Sequence, residues 1–139
     1  MDLTPFHLAI QVTDLKKCRR FYKDVLGCTE GRSSENWVDF NFFGHQLVIH
    51  KVTDSQQDKN INFVDGKSVP VPHFGVVLEW ENWNDLANKL KNSNLEFIIE
   101  PYIRFKGKTG EQATMFFTDP SDNALEFKAF KYPSQLFKK

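Results

Sequence analysis

Of the side chains in this 139-residue sequence whose types can hold a divalent metal, three matter most: His7, His73 and Glu126. Two neutral imidazoles and one carboxylate grip a metal from one side. The remaining positions stay open to substrate, water or dioxygen, as in mononuclear non-haem iron sites. A single strand histidine is more often structural, and a single strand glutamate more often faces solvent. Here the two histidines occupy matching places. Pro5-Phe6-His7-Leu8-Ala9-Ile10-Gln11-Val12 and Pro72-His73-Phe74-Gly75-Val76-Val77-Leu78 both run Pro, then His, apolar, small, apolar, any residue, apolar. Their alternation has the period of a strand, so each His shares a face with a small residue, Ala9 or Gly75. Glu126 falls on a final strand whose other face carries Leu125, Phe127 and Ala129.

The elements that must position these residues repeat as well. The histidines lie about half the chain apart, which reads as two copies of one unit. In the first half, Phe6 to Val12 is a strand, and Thr13 or Asp14 caps a helix. That helix carries Leu15, Cys18, Phe21, Tyr22, Val25 and Leu26 on one stripe and ends at Gly27. Trp37 to Phe42 and Gln46 to Val52 follow as strands, with a tight turn at Gly44. Asp54 to Val69 is polar and reads as a nearly structureless connection with a turn signal at Asp65-Gly66. In the second half, His73 to Trp80 is a strand. Trp83, Leu86, Ala87 and Leu90 share one helical face. Glu96 to Glu100 is a short strand ended by Pro101. Tyr102 to Lys106 pairs with Ala113 to Thr118 across Lys108 to Gly110. A turn at Asp119 to Asn123 leads to the last strand, Ala124 to Phe130. The expected fold is α+β, with two βαβββ modules (5–53 and 72–130) forming a curved mixed sheet. A connection spans 54–71, a tail spans 131–139, and the whole is one domain.

Composition bounds the function. One domain of this length follows from about 150 residues per domain. Eighteen basic and eighteen acidic residues cancel, and the pI is near 6.9, so nothing favours nucleic acid or a membrane surface. Fourteen phenylalanines predict a phenylalanine-rich core or pocket. No apolar run reaches the roughly 18 residues that span a bilayer, and no signal-peptide core is present. Cys18 and Cys28 lack CxxC or zinc spacing and read as two reduced thiols in a cytoplasmic protein.

The paired His motifs, Phe117-Thr118-Asp119-Pro120-Ser121 and Leu125-Glu126-Phe127 resemble the vicinal oxygen chelate superfamily, which includes glyoxalase I, extradiol dioxygenases, fosfomycin-resistance transferases and bleomycin-binding proteins. Phe43-Gly44-His45-Gln46, Val69-Pro70-Val71-Pro72-His73 and Gly110-Glu111-Gln112-Ala113-Thr114 resemble its small, predicted extradiol-dioxygenase-like members. The resemblance spans about residues 5–130. It implies the glyoxalase/bleomycin resistance/dioxygenase fold and a metal held by His7, His73 and Glu126. Many members build sites between modules of two chains, so a homodimer is expected.

The departures are informative. The position of the fourth, acidic ligand of glyoxalase I is Val48, which leaves three protein ligands and suits a dioxygenase or transferase. Larger extradiol dioxygenases carry a tyrosine about ten residues before the ligand Glu, and Phe116 stands there. Asp122 replaces the usual turn glycine, a replacement that Asp tolerates in left-handed backbone.

The implied reaction is Fe(II)-dependent cleavage of a small catechol-like or vicinal-oxygen substrate, with the metal as Lewis acid and template. His45 or His50 is the imidazole left to act as base. Gln46, Gln112, Thr114 and Phe116 are expected to face substrate, and Arg104 to clamp an anionic group. The alternatives are a lyase, isomerase or transferase using Mn(II), Ni(II) or Zn(II), or a metal-free binder of aromatic ligands.

Overall fold

The computed structural model describes residues 3–54 and 60–139. Its N-terminal module contains β1 (His7–Val12), α1 (Leu15–Arg20), β2 (Thr29–Ser33), β3 (Trp37–Phe42) and β4 (His45–Lys51). A hairpin of β5 (Asn60–Val64) and β6 (Lys67–Val71) follows. The C-terminal module contains β7 (Val77–Leu78), α2 (Trp80–Lys91), β8 (Phe97–Arg104), β9 (Gln112–Thr118) and β10 (Ala124–Phe130). The strands form sheets β1-β4-β3-β2, β7-β10-β9-β8 and β5-β6. In both four-stranded sheets the module's first strand runs parallel to its last, and the other pairings are antiparallel. The expected α+β pair of βαβββ modules is present. The first compact unit takes in β1 to β4 with the turn Asp119–Asn123. The hairpin and the rest of the C-terminal module make the second.

In the first unit, Asp14 caps α1 by accepting the Lys17 amide at 2.9 Å. A π-helical turn over Phe21–Val25 continues the helix. Phe21, Tyr22 and Leu26 are buried there with Phe40 and Phe42, and Gly27, at φ +75°, ends it. Each large apolar side chain so buried stabilises by roughly 1.5–3 kcal/mol. The turn Asp119–Asn123 is built on a buried carboxylate. Asp119 Oδ1 accepts the Ser121 and Asn123 amides, and Oδ2 accepts the Tyr22 hydroxyl at 2.8 Å. Asn123 Nδ2 donates to the Gln11 carbonyl, and Ser121 Oγ accepts the Thr13 amide. Asp122 takes φ +66°, the left-handed conformation expected of a residue in the glycine's place.

In the second unit, Trp83, Leu86, Ala87 and Leu90 form the buried face of α2, and the Trp83 indole donates to the Phe127 carbonyl at 2.8 Å. Phe117 and Phe127 stack in parallel beneath it.

Three readings of the chain need correction. Residues 60–71 of the supposed connection form a hairpin, turning at Asp65-Gly66 with φ +52° and +73°. Residues 55–59 of that connection lie outside the described residues. The strand expected over His73 to Trp80 is reduced to a bridge at Phe74 and the two residues of β7, and Trp80 already begins α2. Pro101 does not end a strand. It lies inside β8, where pairing with β9 changes register between Ile99 and Tyr102, a place that tolerates a missing N–H. Among the described residues no helix is long and apolar enough to cross a membrane.

Candidate metal centre

His73 and Glu126 meet in the second unit. The bridge between Phe74 and Leu125 and the pairing of Val77 with Lys128 set Gly75 opposite Glu126. A β-carbon on Gly75 would stand 1.6 Å from the Glu126 carbonyl oxygen, so only glycine permits this approach. His73 Nε2 lies 3.3 Å from Glu126 Oε1, and Thr114 Oγ1 donates to Glu126 Oε2 at 2.5 Å. His73 Nδ1 is 2.7 Å from the Pro70 carbonyl. A carbonyl only accepts, so Nδ1 carries a proton. In the neutral ring, Nε2 then turns a lone pair toward a carboxylate oxygen. Two acceptors at that separation need a cation between or beside them. A proton serves, and so does a metal ion. The hydrogen bond to Glu126 accordingly holds the His73 pKa above its usual value, against the opposing pull of burial. For Glu126 burial is the largest influence and pushes upward, but the bonds from His73 and Thr114 outweigh it and the net shift is downward.

His7 stands on the exposed face of β1 in the first unit, opposite Gln46 of β4. Its Nδ1 is 2.8 Å from Gln46 Oε1, and Gln46 Nε2 donates to Asp39 Oδ2 at 3.4 Å. Because the amide NH2 faces the carboxylate, the amide oxygen faces His7, and Nδ1 again bears the proton. Both histidines thus leave Nε2 as the nitrogen not committed to these outer bonds. Such outer hydrogen bonds fix the tautomer of a ligating imidazole. Neutral imidazole nitrogens and a carboxylate oxygen fit Fe(II), Mn(II), Ni(II) or Zn(II). Among the described residues, no three His, Cys, Asp or Glu side chains of one chain gather in a group that could hold a metal. His73 and Glu126 form a pair.

That pair opens into a cavity of about 160 Å³ lined also by Val64, Val69, Ile99, Tyr102, Arg104, Thr114, Phe116 and Lys128. Thr114 and Phe116, which are expected to face substrate, are in its wall, and Phe116 meets the His73 ring edge-on at 4.9 Å. The other expected roles change. Arg104 lines the cavity, but its guanidinium is already engaged by Asp65, with Nε 2.5 Å from Oδ2 and a second N–H reaching Oδ1. Gln112 is absent from the lining. It is buried, donates weakly to the Gly110 carbonyl, and among the described residues leaves its Oε1 without a partner. Gln46 holds His7. His45 accepts the Phe6 amide through Nδ1 at 2.8 Å, which commits that lone pair to structure. His50 is exposed on β4, opposite Gln11 and Trp37. The lining's single imidazole is His73. Lys128 and Tyr102, absent from the expected site residues, also line the cavity. Strand parity could have found Lys128, two residues after Glu126 on the same face.

Two modules that each join first strand to last in parallel, with a His–carboxylate pair across that junction in the second, define a paired-βαβββ architecture. The chain belongs to the Glyoxalase/Bleomycin resistance protein/Dioxygenase superfamily, whose profile matches residues 4–127. It is similar to a glyoxalase/bleomycin resistance protein/dioxygenase of Alicyclobacillus acidocaldarius, with 30% identity, 96% of each chain covered and a TM-score of 0.79. The fosfomycin resistance protein FosX of Listeria monocytogenes shares the fold at 20% identity and a TM-score of 0.71, covering 98% of this chain and 100% of that one. A virulence protein of Salmonella typhimurium, STM3117, is 23% identical over 126 residues, 89% of this chain and 82% of that protein.

Proposed function

We propose that the chain is a metal-dependent enzyme acting on a small molecule with two adjacent oxygens, with His73 and Glu126 of one chain and His7 of a second copy as the ligands. The observation that carries this reading is the His73–Glu126 pair, two acceptor atoms 3.3 Å apart with their outer hydrogen bonds satisfied by Pro70 and Thr114. A bound divalent ion supplies Lewis acidity and a template for the substrate oxygens. The chain's own residues do the rest. Thr114 holds Glu126 as an ionised ligand, and Val64, Val69, Ile99 and Phe116 exclude water. Burial, followed by the bond to Asp65, raises the Tyr102 pKa, so its hydroxyl stays protonated and donates a hydrogen bond.

Within this class, Fe(II)-dependent opening of a catechol-like ring is the leading reaction. Val48 supports it. In the β1–β4 register Val48 faces Ala9 as Glu126 faces Gly75, so the first module offers no fourth acid. A lyase, isomerase or transferase using Mn(II), Ni(II) or Zn(II) is the second reading. Phe116 favours it, because an aromatic edge stands beside His73 where a hydroxyl donor is expected for ring cleavage. Oxygen uptake after anaerobic Fe(II) loading separates the two. Uptake with catechols that disappears in Glu126→Gln supports the dioxygenase. A metal-loaded protein inert to a broad catechol panel selects the second reading.

A further inference from the structure

The cavity holds two side-chain cations, Arg104 and Lys128, and they are in different states. Arg104 is neutralised by Asp65, which also accepts the Tyr102 hydroxyl at 3.1 Å. The Lys128 amide donates to the Val76 carbonyl, but its ammonium makes no hydrogen bond among the described residues; its partner is Glu126 Oε1, a long ion pair at 3.8 Å from Nζ. Its side chain is 32% exposed. On β10 it shares the face of Glu126, and it pairs with Thr114 across β9. The cavity wall includes the aliphatic Val64, Val69 and Ile99, which have no acceptor for an ammonium, and the hydroxyls of Thr114 and Tyr102 are donated to Glu126 and Asp65. A partly desolvated cation with open donor positions is costly unless a ligand completes it.

We propose that Lys128 is the anion-binding residue of this cavity. It receives a charged oxygen of the substrate beside the His73–Glu126 pair, which makes the substrate a small oxyacid, doubly anionic when bound. This deepens the metal-site reading and rests on it for the second charge. With neutral imidazoles and Arg104 cancelled by Asp65, a divalent ion, Glu126 and Lys128 leave the centre two charges positive. A dianion with adjacent oxygens balances that sum, one oxygen toward the ion and another on the ammonium.

Titration calorimetry with Mn(II), and then with oxalate as a dianion of adjacent oxygens, tests this on the full chain. Wild type, Lys128→Met, Lys128→Arg and Glu126→Gln are compared. Lys128→Met is expected to bind Mn(II) at least as tightly as wild type, because a like charge has gone. It should bind oxalate about tenfold or more weakly, the loss of a charge-assisted hydrogen bond. Lys128→Arg restores most of the oxalate affinity. Opposite effects on metal and anion are not produced by a merely structural lysine. Oxalate affinity unchanged in Lys128→Met, or no oxalate binding with or without metal, overturns the proposal. Mn(II) failing to bind wild type overturns the metal reading instead. Oxalate titration of the metal-free protein then decides the role of Lys128 alone, with Lys128-dependent binding sustaining it and Lys128-independent binding ending it.

Discussion

The α-carbon of Gly75 rests against the main-chain carbonyl of Glu126, leaving no room for a β-carbon. The contact lies where the segment between His73 and β7 runs beside β10, so the separation of the segments that carry His73 and Glu126 is set by a hydrogen atom. In the matching register of the first module Ala9 stands opposite Val48, with a β-carbon where Gly75 has none and no carboxylate to position. Gly75→Ala must push the segments apart. It is expected to destabilise the fold by about 2 kcal/mol or more, at the upper end of overpacking effects. Urea denaturation measures this. A variant within about 0.5 kcal/mol of wild type, the range of inert surface changes, contradicts the account.

Thr114 tests the outer hydrogen bonds of the centre. Its hydroxyl donates to Glu126 Oε2, and valine keeps the shape without the donor. Thr114→Val should lower divalent-metal affinity by roughly 10–100-fold, the usual effect of losing such a partner. Calorimetry reads the affinity, and equal affinities in the two proteins would remove Thr114 from the site.

Tyr22 and Asp119 test what holds the Asp119–Asn123 turn. The Tyr22 hydroxyl is buried and donates to Asp119 Oδ2, while burial pushes the Asp119 pKa up. Tyr22→Phe leaves a buried carboxylate one donor short. The expected loss is about 1–3 kcal/mol, with little change in far-UV circular dichroism. An unchanged denaturation midpoint is the contrary outcome.

Asp65 governs a pH effect. Chiefly the Arg104 hydrogen bond holds its carboxyl below the usual carboxylate range. A depressed folded-state pKa contributes stability above the unfolded value, near 3.9, that is lost as pH falls through the lower folded value. The β5–β6 amides should therefore keep their hydrogen-exchange protection from neutral pH to about pH 4 and lose part of it below, after correction for intrinsic exchange. Asp65→Asn should show the lower protection at every pH. Protection in wild type that is independent of pH down to 2 contradicts the role given to this ion pair.

Cys18 should be inert in the folded protein. It is fully buried, and burial above all raises its thiol pKa to about 11. Iodoacetamide at pH 7.5 should leave it unmodified by mass spectrometry until denaturant is added. Rapid native alkylation would show that the packing around Ser121 is looser than described.

Much of this was legible in the sequence because repetition carried it. The first His motif, the buried face of α2 and the alternation around Glu126 each have a period that names the element and its inward face, whereas the second His motif keeps only a bridge and a two-residue strand. The β5–β6 hairpin was not legible, because its strands are exposed on most sides and lack that alternation; only Asp65-Gly66 announced it. Pro101 read as a stop because a proline's missing N–H is harmless only at a register change, which no local pattern reveals. Arg104 was found by its chemistry, but its long-range partner Asp65 was not. The Gln46–His7 contact was not legible, since nothing local ties an amide on β4 to an imidazole on β1.

The central claim is that His73 and Glu126 of one chain hold a divalent ion with His7 of another. The most direct measurement is Mn(II) binding to His7→Ala, to Glu126→Gln, and to a purified heterodimer of the two made by co-expression with different tags. The account predicts no binding by either variant alone and one restored site in the heterodimer, where the intact His7 of one chain meets the intact pair of the other. Undiminished binding by Glu126→Gln, or a heterodimer as inactive toward Mn(II) as its parents, would contradict it.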